Sequence, residues 1–142
     1  MTGIVLCGGK SSRMGTNKAF LEVEGERLID RVVWVLGRHF AEVVLVTRTP
    51  TDYQSIDAVI VKDMIPEGGV LGGIYTGLFF SSAEIAFVAA CDMPFLDDRF
   101  IDHMIRRAEN YDIVVPMTRE GFQPLHAIYS RRCLPEMLRM IE

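Results

Sequence analysis

Residues 4–25 read IVLCGGKSSRMGTNKAFLEVEG. The short apolar run Ile4–Cys7 stops at Gly8 and Gly9, and a stretch carrying Lys10, Arg13 and Lys18 among hydroxyl residues follows. A buried strand that ends in bare backbone and cations admits two readings. One is a solvated basic loop. The other is a cradle for a polyphosphate: glycine lets the backbone approach a ligand without a Cβ in the way, successive amides form an anion nest, and arginine forks onto two phosphate oxygens. The stretch is not a Walker A loop, because no glycine stands five residues before a Gly-Lys-Ser/Thr. It is not the dinucleotide fingerprint either, because G-x-G-x-x-G is absent. Alone it leaves both readings open.

The rest of the chain alternates strand and helix signals. Arg27 to Phe40 places Leu28, Ile29, Val32, Val33, Val35 and Leu36 at helical spacing. EVVLVT (42–47) and AVIV (58–61) read as strands. VLGGIYTGLFF (70–80) has helix-length reach, with glycines that weaken the helix but permit close packing. EIAFVAA (84–90) is a buried strand, and 97–109 an amphipathic helix with Asp97 or Asp98 near its cap. DIVV (112–115) and LHAIY (125–129) are strands, and 135–141 begins a helix. This order predicts an α/β fold, a Rossmann-like three-layer sandwich: one mostly parallel sheet with helices on both faces. No repeat, low-complexity tract or interdomain linker interrupts it.

Composition sets the outer bounds. A length of 142 residues is one domain's worth. A net charge of −4 argues against nonspecific nucleic-acid binding. No stretch reaches the roughly 20 apolar residues of a membrane span, and no secretory signal is visible, so neither a nucleic-acid nor a membrane partner is expected. The three cysteines, Cys7, Cys91 and Cys133, include no C-x-x-C pair. A disulfide scaffold or structural zinc is not expected, and a reducing cytoplasm fits.

In such a sheet the default ligand site is the crevice beyond the carboxyl ends of the strands. Three polar or glycine-rich turns fall there: Gly8–Gly15, Lys62–Gly69 and Cys91–Pro94. Asp92 ends a buried strand, and Pro94 stiffens the turn after it. Its carboxylate either caps the following helix or holds a cation. Magnesium typically takes one or two carboxylates plus substrate phosphates, and Asp97 and Asp98 are better placed to cap, so the metal reading is favoured. Asp63 either accepts hydrogen bonds from a base or ribose or bonds its own turn. Gly68, Gly69, Gly72 and Gly73 either bring a helix N-terminus close to a ligand or serve helix–sheet packing. Thr47 either touches a nucleotide or finishes its strand, the latter preferred. Cys7 and Cys91 read as small buried thiols on neighbouring strands, and His126 as a satisfied core histidine.

Four segments together carry a resemblance. LCGGKSSRMGTNK, KDMIPEGGVLGGI, CDMPFL and QPLHAIY occur in the order found in nucleotidyltransferases that act on molybdopterin. The chain most resembles the molybdenum cofactor guanylyltransferases, whose fold is that of the nucleotide-diphospho-sugar transferases. The resemblance implies that Leu6, Cys7, Gly8 and Gly9 line the guanine nucleotide with backbone groups. It implies that Arg13 and Lys18 contact the triphosphate, Asp63 helps hold the nucleoside, and Asp92 binds Mg2+. With Thr47 as a further candidate, these residues form the expected site. The implied reaction transfers GMP from GTP to molybdopterin and releases pyrophosphate, with molybdoenzymes or their chaperones as further partners. A phosphate nucleophile is already anionic, so no general base is required, and catalysis needs positioning and charge neutralisation. The related cytidylyltransferases resemble L-A-A-G where this chain has Gly8 and Gly9, so guanine is favoured.

The chain departs from the family at Cys7 (usually Ala), Asn17 (usually Asp, which removes a negative charge beside Lys18) and Glu67-Gly68 (usually Gly-Pro). The family normally continues for several dozen residues, including an Asn-Thr-Pro-like segment that helps bind the acceptor. A complete donor site and an incomplete acceptor site are therefore expected within residues 1–142. The competing expectations are a GTP-binding accessory module without turnover, and cytidylyl or sugar-phosphate nucleotidyl transfer on the same fold.

Overall fold

The N-terminal apolar run lies at the centre of the sheet. In the computed structural model, which describes residues 1–8 and 17–142, β1 (Thr2–Cys7) is buried along its whole length. A hairpin, β2 (Glu22–Val23) and β3 (Glu26–Arg27), turns through Glu24 and Gly25 with φ 57° and 81°. Two consecutive positive φ values are what a two-residue hairpin demands. Helix α1 (Leu28–His39) follows and buries Leu28, Ile29, Val32, Val33, Val35 and Leu36, the residues its spacing predicts. Asp30 in its first turn and Arg38 and His39 in its last complement the helix dipole.

Strands β4 (Val43–Thr47) and β5 (Val59–Lys62) extend the sheet on one side of β1. Helix α2 (Gly69–Phe80) then crosses back, and β6 (Ile85–Ala90) pairs with the other edge of β1. After α3 (Asp98–Arg107), β7 (Ile113–Val114) forms the outer edge, and a hairpin of β8 (Met117–Thr118) and β9 (Gly121–Phe122) precedes β10 (His126–Ser130). Helix α4 (Leu134–Ile141) follows. The main sheet runs β5-β4-β1-β6-β10-β7. β10 is antiparallel to both neighbours, and the pairings among β5, β4, β1 and β6 are parallel.

Two apolar layers sandwich the sheet. On one face Val5, Leu45 and Phe87 pack with Ile29, Val32 and Leu36 of α1 and Ile101 and Met104 of α3. On the other, Ile4, Val44 and Val88 pack with Ile74 and Leu78 of α2 and Met137 of α4. The expected three-layer architecture is thus observed. No helix among the described residues is long and apolar enough to cross a membrane.

His126 differs from expectation. Its ring sits 4.6 Å from the Phe100 centroid and 5.6 Å from that of Phe87, and its buried Nε2 has no hydrogen-bond partner among the described residues. Burial holds its pKa below the usual histidine value, so the ring is a neutral packing element.

Candidate functional site

The strand order changes direction at β1: the chain first builds outward through β4 and β5, then returns to add β6 on the far side. Beyond the carboxyl ends of β1 and β6 lies the switch-point crevice in which α/β sheets bind ligands. Gly8 and Asp92 leave the sheet side by side there. Leu6 pairs with Ala90 in register, and the Cys91 amide donates to the Leu6 carbonyl at 3.1 Å.

Asp92 is exposed and makes no side-chain hydrogen bond to the described residues. The competing capping role is filled by Asp97, whose Oδ1 accepts from the Phe100 amide at 2.8 Å. Among the described residues no cluster of three or more His, Cys, Asp or Glu side chains could hold a metal ion. A single exposed carboxylate is a donor that magnesium can take alongside phosphate and water.

Gly8 is exposed, and a Cβ built on it meets no described atom within 4 Å. No described residue fills the space beside it. Lys18 is exposed on a 3-10 turn, Lys18–Phe20, that is anchored firmly to the sheet. Asn17 caps that turn by accepting from the Ala19 amide at 3.1 Å, and its Nδ2 donates to the Tyr53 hydroxyl at 2.8 Å. Phe20 stacks on Tyr53 with centroids 5.1 Å apart, and Ala19 is fully buried. The amide at position 17 thus supplies a donor that an ionised aspartate lacks.

Tyr53 shares its apolar layer with Cys7, and Cys91 packs against that layer. The neighbouring Cys91 sulfur and burial push the Cys7 thiol up, while Cys7, as the S–H donor of the pair, holds Cys91 below the usual thiol value. Burial pushes the Tyr53 phenol up as well.

Asp63 leaves β5 with its Oδ1 turned inward. That oxygen accepts from the Ile65 amide at 3.0 Å and lies 3.2 Å from the Thr76 hydroxyl, which itself accepts from the Met64 amide at 3.1 Å. One carboxylate oxygen thus fixes the second loop, in keeping with the local-turn reading. Thr47 is buried, and its Oγ1 accepts from the Thr49 amide at 3.2 Å, so its hydroxyl serves its own turn. The side chain of Leu6 packs over Gly73, at 3.4 Å from the position a Cβ would take there. Gly72 faces the Ile65 carbonyl, where a Cβ would come within 2.1 Å, so close packing explains that glycine. Gly69 has φ 58°, a conformation that favours glycine at the start of α2. Gly9 and Arg13 lie outside the described residues.

Sequence reasoning missed Arg48. It directly follows β4, and its guanidinium donates to the Pro66 carbonyl at 2.5 Å, tying the end of one strand to the second loop. A cation immediately beyond a buried strand, as in LVTR, is the signal that could have found it.

A family model described as the MobA-like NTP transferase domain matches residues 3–142. The chain belongs to the MobA-like NTP transferase family. The resemblance drawn from the four sequence segments is therefore borne out. A MobA-like relative from Desulfosudis oleivorans, named molybdenum cofactor guanylyltransferase, is 44% identical over 136 residues, covering 94% of this chain and 67% of the relative. A probable molybdenum cofactor guanylyltransferase from Pelotomaculum thermopropionicum is 40% identical, covering 94% and 65%. The chain spans about two thirds of the length of these relatives. Among solved structures, the molybdopterin-guanine dinucleotide biosynthesis protein A of Archaeoglobus fulgidus superposes with a TM-score of 0.80 at 27% identity, covering 99% of this chain and 73% of that one. A putative protein of Aquifex aeolicus superposes with a TM-score of 0.82 at 28% identity, covering 99% and 75%.

Proposed function

We propose that this chain is a nucleotidyltransferase domain that transfers GMP from GTP to molybdopterin, releasing pyrophosphate and forming the guanine dinucleotide of the cofactor. The observation that carries this reading is the shared switch point of Gly8 and Asp92, together with membership of the MobA-like family. Residues 1–142 act as one domain, in the cytoplasm, with molybdoenzymes or their chaperones receiving the product.

In this reading the guanine base lies against the Gly8 backbone, where no Cβ intrudes. The Leu6 carbonyl accepts from the Cys91 amide, which fixes the end of β1 beside the 91–94 turn, and the backbone groups of Leu6, Cys7 and Gly8 line the nucleotide there. Lys18 presents its ammonium to the triphosphate from an anchored turn, and Arg13 does the same by the family resemblance. Asp63 keeps one carboxylate oxygen for its own loop and offers the other to the nucleoside. Asp92 would hold magnesium, which supplies charge neutralisation at the transferring phosphate. The acceptor phosphate needs no base to deprotonate it, so positioned positive charge is the main requirement.

Calorimetry with GTP, CTP and ATP in the presence of magnesium tests the donor site. GTP is expected to bind more tightly than CTP or ATP, and Asp92→Ala is expected to weaken GTP binding at least tenfold. Equal affinity for all three, or indifference to Asp92, would remove the assignment. Pyrophosphate release with GTP, magnesium and molybdopterin separates turnover from binding alone.

A further inference from the structure

We propose that Cys7 and Cys91 are a redox-modification site: a vicinal dithiol that closes to a reversible disulfide across the switch point and weakens nucleotide binding. The effect on nucleotide rests on the function proposed above; the disulfide does not.

The geometry is set by the sheet. Leu6 and Ala90 are the last register partners of parallel strands, and the Cys91 amide donates to the Leu6 carbonyl at 3.1 Å, so Cys7 and Cys91 follow side by side at the end of that pairing. Adjacent strands lie about 4.8 Å apart, inside the Cα separation that a disulfide spans. Both side chains point to the same face: Cys7 belongs to the apolar layer under α1 and α3, and Cys91 packs against that layer. Cys133 packs against the opposite face, where it reaches neither partner.

Exposure assigns the order of events. Cys91 is half-buried, whereas Cys7 is 6% exposed. A low-molecular-weight disulfide, RSSR, is attacked by the Cys91 thiolate; the Cys91–SR bond forms and one RS⁻ leaves, taking up a proton. Cys7 loses its proton and attacks the Cys91 sulfur, expelling the second RSH. Two thiols are oxidised, one RSSR is reduced to two RSH, and the process runs backward when RSH is in excess.

The consequence follows from where the pair sits. Forming the bridge draws the two sulfurs to about 2.05 Å. Gly8 and Asp92 are the residues immediately after the two cysteines, so closure narrows the crevice between them. Tyr53 lies in the same apolar layer as Cys7 and holds Asn17, so the same movement reaches the Lys18 turn.

The folded protein is incubated with oxidised glutathione and then denatured under acid quench for thiol counting and peptide mass mapping. The expected result is a fall from three free thiols to one, with no glutathione retained and a linked peptide containing residues 7 and 91. Cys91→Ala and Cys7→Ala should each abolish the linked peptide. No reaction, or glutathione adducts without a bridge, would overturn the proposal on the wild-type protein alone, whether or not the variants fold. GTP affinity is then compared before oxidation, after oxidation and after re-reduction. A loss of tenfold or more that reductant restores is expected; an unchanged affinity in the bridged protein overturns the switch. If the reduced protein binds no GTP, the function proposed above fails while the mass result still judges the disulfide.

Discussion

Gly8 shows how one missing atom sets what a crevice can hold. A Cβ there would meet no described protein atom, so its cost would fall on the ligand. Gly8→Ala should therefore leave the melting temperature nearly unchanged and reduce the preference for GTP over CTP by about tenfold, which is about 1.4 kcal/mol. Competition binding with the two nucleotides measures this directly, and an unaltered ratio would take base choice away from position 8. Asn17 argues at the same scale. Its departure from the family's aspartate is legible in the sequence, but its consequence is not: the amide donates to Tyr53, 36 residues later, and nothing local announces that partner.

At the scale of elements, α2 explains its own glycines. The helix lies flat on the sheet because Gly77 sits directly over Ile4 and Gly73 over Leu6. A Cβ at Gly77 would come within 2.5 Å of Ile4 Cγ2, in a core where Ile4 is fully buried. Gly77→Ala gains helix propensity of about 1 kcal/mol but forces overpacking that costs about 1–3 kcal/mol. A net fall in stability is expected in denaturant titration, and a more stable variant would show that the helix can lift without penalty. The sequence made the main elements legible because burial leaves a period: α1 buries the six residues that its spacing selects. The small hairpins were missed because two-residue strands have no period to read. The direction of β10 was not legible either, since an antiparallel insertion has the same apolar composition as its parallel neighbours. Asp92 could be put forward as a candidate from sequence because it combines a strand end with a better-placed competitor for the cap, and Asp97 does take the cap. Arg48 and the Asp63–Thr76 contact depend on chain segments that meet only after folding.

At the scale of the molecule, protonation couples to the whole fold through His126. Its ring is held neutral between Phe87 and Phe100, with Nε2 buried and unpartnered among the described residues. In the unfolded chain the same ring protonates near pH 6.5. Because burial lowers the folded pKa, the unfolded state binds the proton first as pH falls. This contribution to stability is complete above about pH 6.5 and is lost progressively below it, until pH passes the folded value. Asp98 acts in a different window. The His39 Nε2–H donates a 2.7 Å hydrogen bond to its carboxylate, lowering its pKa, with Arg38 adding charge. That contribution is present above the unfolded aspartate pKa of about 3.9 and fades only in stronger acid. The two effects can therefore be separated by pH. Thermal melts of the wild type should show a midpoint that declines between about pH 6.5 and pH 5, and His126→Phe should flatten that decline while leaving the acid limb below about pH 4 in place. An equal slope in both proteins would move the proton-linked transition away from His126.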